Sequence, residues 1–293
     1  TVQQPGGDAA IVRIGEGPKG LALCTDVTQR YCEADPVEGG KQAVAEAWRN
    51  LTAVGATPLA LTDNLNFGNP ERPEIMWQFE QAVNGIRDAC VAFRLPVVSG
   101  NVSFYNETEG RAIPPTPTIA MVGLVRSAQP LTAWFKAAGH EIWLLGSSRE
   151  EIAGSEFAAV VHGRRDGAPP WVDFRAEQAL HQVVLAAAER SLLASCHDVS
   201  EGGLAMAVVV GLSGAPGSLA LAAVLAAVPV GPLVGCFMWL DRYEPEPRSL
   251  LVAGLLWGAF VATAAALVFQ GIGIAGGTSE RDSLSVQIGR AHV

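Results

Sequence analysis

Hydrophobic and polar positions change rhythm several times along the chain. Residues 9–14 and 20–25 are short apolar runs parted by Gly15, Gly17, Pro18 and Gly20, which predicts two paired strands. Residues 41–54 follow the pair Gly39 and Gly40. They place Ala43, Val44, Ala47, Trp48 and Leu51 at helical spacing, and Gly55 and Pro58 end the pattern. A short strand is expected at 59–62 and a loop rich in Asn, Gly and Pro at 64–73. A second helix is expected at 74–93, with Ile75, Phe79, Ala82, Val83, Ile86 and Cys90 on one face. A buried strand at 95–99, a polar turn at 100–106 and a strand at 118–125 complete this stretch.

A linker at 127–139 leads into a second unit. It begins with a strand at 141–146 and continues through an amphipathic helix at 177–191 and a strand or turn at 195–199. Gly202 and Gly203 then open an apolar helix. Strands alternating with helices predict α/β layering. Past that point the alternation stops. Residues 202–240 and 249–279 contain no Asp, Glu, Lys, Arg or His. Within them, 218–240 and 249–270 are apolar stretches of 23 and 22 residues, and about 20 suffice to cross a bilayer. Two transmembrane helices over 218–270 are therefore expected, the first kinked by Pro229 and Pro232; a buried apolar hairpin is the alternative. The loop between them, residues 241–248, carries two Arg and three acids and leaves the topology weakly determined. Residues 271–293 are expected to be disordered.

Composition narrows the classes. The 293 residues are 49% hydrophobic with a mean hydropathy of +0.25, which excludes a disordered chain. A net charge of −9 argues against a nucleic-acid partner, which usually meets a basic surplus. The five cysteines form no CxxC pair, so neither a disulfide framework nor a structural zinc site is expected, and a reducing compartment fits. No secretory signal pattern opens the chain.

Four polar clusters interrupt the apolar elements. Residues 25–30 (TDVTQR) leave a strand ahead of Asp35 and the Gly39–Gly40 pair, an arrangement suited either to phosphate at a helix start or to a capped loop. Residues 62–70 (TDNLNFGNP) put Asp63 beside two Asn, which suits Mg²⁺ or an Asx-rich turn. Residues 99–107 (SGNVSFYNE) offer Gly100 for close approach, the Asn101 carbonyl and the Ser103 hydroxyl, or again a capped turn. Residues 197–203 (HDVSEGG) hold His197 and Asp198. Neighbours on a strand point to opposite faces, so these two are not a ready dyad. Ser200 sits in no G-x-S-x-G elbow, and no Walker or Rossmann glycine motif occurs.

The strings TDVTQRYCEADPVEGGKQAVAEAWRNLTAVGATPLALTDNLNFGNPERPE, PVVSGNVSFYNET, IPPTPTIAMVGLV, GSEFAAV and HDVSEGGLAMA resemble the phosphoribosylformylglycinamidine synthase family, within the aminoimidazole ribonucleotide synthetase (PurM-like) superfamily. The resemblance covers residues 8–210 and implies a PurM-like N-terminal α/β domain at 1–126, whose sheet pairs with a partner half. It also implies a truncated PurM-like C-terminal α/β sandwich at 138–210, with exposed strand edges and low stability. The implied activity is an ATP-dependent carbon–nitrogen ligase of purine synthesis, in the cytoplasm. ATP activates the amide of formylglycinamide ribonucleotide, and ammonia from a glutaminase domain or subunit forms the amidine. ATP and Mg²⁺ are the implied cofactors. By the same resemblance Asp63 and Gly100 contact ATP, Asn101 ligates Mg²⁺ and Ser103 contacts substrate. The family's catalytic His-Asn-His segment corresponds to residues 28–30, where no histidine stands, so this second-half fragment is expected to lack a catalytic base and to be inactive without the missing first half. The segment WLDRYEPEPRSLLVAGLLWGAFVATAAAL resembles the N-terminal part of PrsW-type intramembrane proteases. A chimera is therefore expected; the alternative is a membrane protein with a nucleotide-binding front module.

Overall fold

A computed structural model describes residues 7–127, 129–137, 139–147, 149, 151–200, 202–213 and 284–288. Strands β1 (Ala10–Arg13), β2 (Gly20–Asp26), β3 (Ala56–Asn66), β4 (Val97–Ser103) and β7 (Thr116–Val125) form one sheet in the order β1-β2-β7-β3-β4. Its pairs are antiparallel except β3 with β4, which run parallel around helix α3 (Pro73–Phe93). Strands β5 (Glu107–Thr108) and β6 (Arg111–Ala112) make a small hairpin after β4.

One face of this sheet is covered by α2 (Pro36–Ala53) and α3. Alternation along β7 sends Ile119, Met121 and Val125 into the helix layer, where they join Leu61 and Leu65 of β3, Val44 and Leu51 of α2, and Ile86 and Phe93 of α3. The opposite face stays open, and Val12, Leu21 and Leu23 on it remain at least a third exposed.

Helix α2 begins five residues before the expected start. Asp35 accepts hydrogen bonds from the backbone N–H of Val37 and Glu38, and Pro36 occupies the first helical position. The glycine pair therefore lies inside the helix. It serves packing rather than anion binding: a Cβ on Gly40 would meet the Ala82 carbonyl oxygen of α3 at 2.4 Å. One on Gly39 would meet Cys32, in α1 (Gln29–Ala34), at 2.5 Å. Reciprocally, a Cβ on Gly85 of α3 would meet the Val37 carbonyl oxygen at 2.0 Å. Helix α3 matches its expected span, though Val83 points outward and is 36% exposed. Arg94 ends the helix in the left-handed region, at φ 56°.

Strands β3 and β4 are longer than expected and run through the predicted polar turns, because ladder pairing absorbs Asn64, Asn66, Asn101 and Ser103. Strand β4 is an exposed sheet edge rather than a buried strand.

The second part of this unit holds α4 (Glu156–His162), α5 (Phe174–Glu189) and a parallel sheet in the order β8-β10-β9, from β8 (Ile142–Leu145), β9 (Leu193–Asp198) and β10 (Leu284–Ile288). Strand β10 corrects the expectation of disorder throughout 271–293. Residues 284–288 pair along both neighbours, which satisfies backbone groups that β8 and β9 would otherwise leave open. Val184 and Cys196 are buried with Ala53, ringed by Leu131, Leu145, Leu180 and Leu193.

Helix α6 (Gly203–Ser213) follows Gly202, and both glycines adopt positive φ, so here the predicted glycine opening of a helix is the observed one. A second unit comprises 134–140 and 209–282; in its described part the Phe135 N–H donates to the Gly211 carbonyl at 2.8 Å. The two apolar stretches of 218–270 lie outside the described residues. Among the described residues no helix is long and apolar enough to cross a membrane.

Candidate functional site

Register places the residues named from sequence on two faces of one sheet edge. Asp63 pairs with Gly100, Asn64 with Asn101, and Asn66 with Ser103. Partners across a ladder share a face and successive residues alternate. Asn64, Asn66, Asn101 and Ser103 therefore stand on the open face. The Asn101 and Asn66 amides both donate to the Asn64 side-chain oxygen, at 3.1 and 3.0 Å. Ser103 is 3.1 Å from the Asn106 amide nitrogen, which also donates to the Ser103 and Phe67 carbonyls and closes the turn after β4.

Asp63 and Gly100 belong to the other face. The Asp63 carboxylate lies across Gly100, with Oδ1 2.3 Å from where a Cβ would stand, so any larger residue there would displace it. Burial raises the Asp63 pKa. Sequence grouped Asp63, Gly100, Asn101 and Ser103. The structure brings all four onto adjacent strands but divides them between the helix-covered and open faces.

The row through Asp63 leads to a second group. Asp26 of β2 and Asp63 of β3 both pair with Ile119 of β7, which sets their backbones two strand spacings apart, about 10 Å. Asp26 opens into a cavity of about 430 Å³ whose wall includes Arg30, Glu46, Asn50, Ser155 and Ser200. The Asn50 amide donates to Asp26 Oδ2 at 3.1 Å. Burial, and then the nearby Glu46 carboxylate, push the Asp26 pKa up to about 7. Arg30 is fastened to the wall by its Nε, which donates to the Gly154 carbonyl at 3.0 Å.

Behind Glu46 stand two further acids. Asp198, fully buried at the end of β9, faces both Glu46 and Asp8. Burial first, then these like charges, raise its pKa well above the usual carboxylate range. His197 Nδ1 lies 2.5 Å from Asp8 Oδ1 and 3.6 Å from Asp198 Oδ1. The histidine's close partner is thus the distant Asp8, not its neighbour in sequence. Together these three offer ligand atoms within 4.8 Å of one another. Oδ2 of Asp8 and Oδ2 of Asp198 are buried with no hydrogen-bond partner among the described residues. Orphaned carboxylate oxygens beside further acids are an environment that a divalent cation completes, since hard cations take oxygen ligands and cancel the like-charge repulsion. Asp8, Asp198 and His197, with Glu46 beside Asp198, fit such a group, and Asp26 and Asn50 line the cavity on the other side of Glu46.

Sequence reading passed over Glu46, Asn50 and Asp8. Glu46 and Asn50 sit four residues apart and so share a face of α2, one turn apart, which is the signal that could have joined them to Asp26.

Residues 6–125 match the family model of the AIR synthase related protein, N-terminal domain, and residues 137–215 match that of its C-terminal domain. Over those residues the chain carries both AIR synthase related domains. Phosphoribosylformylglycinamidine synthase subunit PurL of Azorhizobium caulinodans is 60% identical over 209 residues, covering 71% of this chain and 28% of that protein. The subunit of the same name from a Bradyrhizobium strain is 54% identical over 231 residues, 78% of this chain and 31% of that protein. The chain therefore spans under a third of the length of these curated relatives. A structure of Thermotoga maritima PurL complexed with ATP is similar at 26% identity and a TM-score of 0.47, covering 65% of this chain and 28% of that one.

Proposed function

We propose that residues 8–210 are the second-half portion of a phosphoribosylformylglycinamidine synthase. This is an ATP-dependent ligase that converts formylglycinamide ribonucleotide to its amidine with ammonia from a glutaminase partner, in the cytoplasm. The 60% identity over 209 residues to a PurL subunit carries this reading. The geometry supports it with an acid-walled cavity and a polar sheet edge in the same unit.

Bound ATP would supply the phosphoryl group that activates the amide oxygen, and Mg²⁺ would neutralise the phosphates. The residues of this chain would hold and position them. Asp8, Asp198 and the adjacent Glu46 would present oxygens suited to the cation, Asp26 and Asn50 would line the cavity beside them, and Gly100 leaves room for the Asp63 carboxylate in its row. On the open face Asn101 and Ser103 would meet cation and substrate at the junction with the missing half. The exposed stripe Val12, Leu21 and Leu23 on the same sheet supports that junction, since an apolar face of this kind calls for a covering partner. No histidine stands at 28–30, so without the other half the chain would not turn over substrate.

The family-model matches end at residue 215, although the Bradyrhizobium relative aligns over 231 residues, and the apolar segment at 239–267 resembles a different, membrane-embedded family. We read the chain as a chimera of the two.

Isothermal titration of the chain with Mg²⁺·ADP tests the ligase reading. Binding that is lost in Asp26→Asn and weakened in Asp63→Ala and Asn101→Ala supports it. A folded chain giving no heat overturns it.

A further inference from the structure

Helix α5 reaches the cavity without lining it. Arg49 is 1% exposed and lies between two carboxylates. Its Nη1 is 2.7 Å from Glu46 Oε2 on the cavity side. Its Nη2 and Nε meet Glu177 of α5 at 2.9 and 3.3 Å. Gln42, another residue of the cavity wall, accepts from Arg49 Nη2 at 3.4 Å and donates to the Pro170 carbonyl at 2.6 Å. Glu177 is held in turn by His181, whose Nε2 is 3.2 Å away; the ring's Nδ1 is 2.8 Å from Thr52 Oγ1, and the ring stacks on Trp48 at 5.0 Å.

A buried guanidinium with a single carboxylate partner would draw that carboxylate to itself and cancel its charge. Here the two acids share it. We propose that Glu177 is a positioning residue of the cavity: by engaging the far side of Arg49 it holds the Glu46 carboxylate at the wall and leaves its negative charge available to a divalent cation. The proposal rests on the reading that the acid-walled cavity takes such a cation. It makes the second domain part of a site whose wall is mostly built by the first, through a bidentate contact that a neutral side chain cannot replace.

The test is a mutant cycle on the full chain, with Mn²⁺ titrated calorimetrically in alkaline buffer and thermal unfolding measured in parallel. Glu46→Gln should weaken Mn²⁺ about tenfold, and Glu177→Gln about fivefold. In the Glu46→Gln background, Glu177→Gln should change Mn²⁺ affinity by less than about twofold, because its route to the cation is gone, while its effect on unfolding persists. Glu177→Asp keeps the charge and should stay within about twofold of the unaltered chain. Equal losses in both backgrounds, or Glu177→Asp binding as weakly as Glu177→Gln, would assign Glu177 a structural role and overturn the proposal. Glu177→Gln at full affinity would overturn it too. An unaltered chain that binds no Mn²⁺ overturns the cation reading itself.

Discussion

The two faces of the five-stranded sheet show how far one step along a strand can separate two chemistries. Asp63 and Asn64 are adjacent. Asp63 turns toward the helix layer, where burial raises its pKa, and it lies across Gly100. Asn64 turns to the open face and gathers the amides of Asn66 and Asn101 in solvent. The same division runs across the sheet. Asp26, in the row of Asp63, is half-buried near the Glu46 carboxylate, while Leu23, three residues before it, stands exposed opposite Val122. The helix-covered face stores charge in a low dielectric; the open face stores uncovered surface.

The comparison breaks most readily at the buried pair between α2 and α5. Arg49→Met leaves the Glu177 carboxylate uncompensated and should destabilise the chain by about 3–5 kcal/mol in denaturant unfolding. Glu177 itself is a sensitive reporter: burial opposes its charge, yet Arg49 and His181 hold its pKa below the usual range, so the stability it contributes is lost only in strong acid.

Asp26 should behave in the opposite sense. Its folded pKa of about 7 exceeds the reference value of 3.8, so the folded chain keeps a proton that the unfolded chain releases. Stability should fall as pH rises from about 4 to about 7 and level off above. Asp26→Asn should abolish that fall and gain about 2–4 kcal/mol relative to the unaltered chain in alkaline, chelator-containing buffer. A pH profile identical to that of the unaltered chain would refute the burial of this charge.

Gly85→Ala puts a methyl against the Val37 carbonyl oxygen and should destabilise by about 1–3 kcal/mol, because two helix backbones must part. At the sheet's edge strand, Val102→Thr should change unfolding of the chain by less than about 0.5 kcal/mol, since that side chain is already half in water. Burial also lifts the Cys90 thiol to about 11, so Cys90 should resist iodoacetamide in the folded chain at neutral pH and react only on unfolding.

Legibility in the sequence followed the range of the forces involved. Helix α3 was readable almost to the residue, because Pro73 and Arg94 bracket an apolar period that needs no knowledge of its neighbours. The start of α2 was misread because Gly39 and Gly40 look like breakers until α1 and α3 are seen pressing on them. Asp63, Gly100, Asn101 and Ser103 were found as strings, and pairing of β3 with β4 did bring them together. Their division between faces depends on ladder register, which a string does not show. Glu46 was passed over in the sequence; its place beside Asp26 and Asp198 emerged only when β2, β9 and the segment bearing Asp8 came together around it.

Local periodicity and composition were enough to place α2, α3, α5 and the longer strands in order, and to set the α/β class and the break where charge disappears beyond Glu201; α1, α4, β5, β6 and β10 were not read. Those features depend on contacts within about one turn or one strand, so they survive in a linear string. Tertiary structure alone decided that Asp8, Asp26, Glu46 and Asp198 share one acid cluster, that His197 turns to Asp8, and that Glu177 of α5 reaches Glu46 through Arg49. Each of those contacts joins residues far apart in the chain, and only the packing of one layer against another brings them within the few ångströms over which charge and hydrogen bonding act.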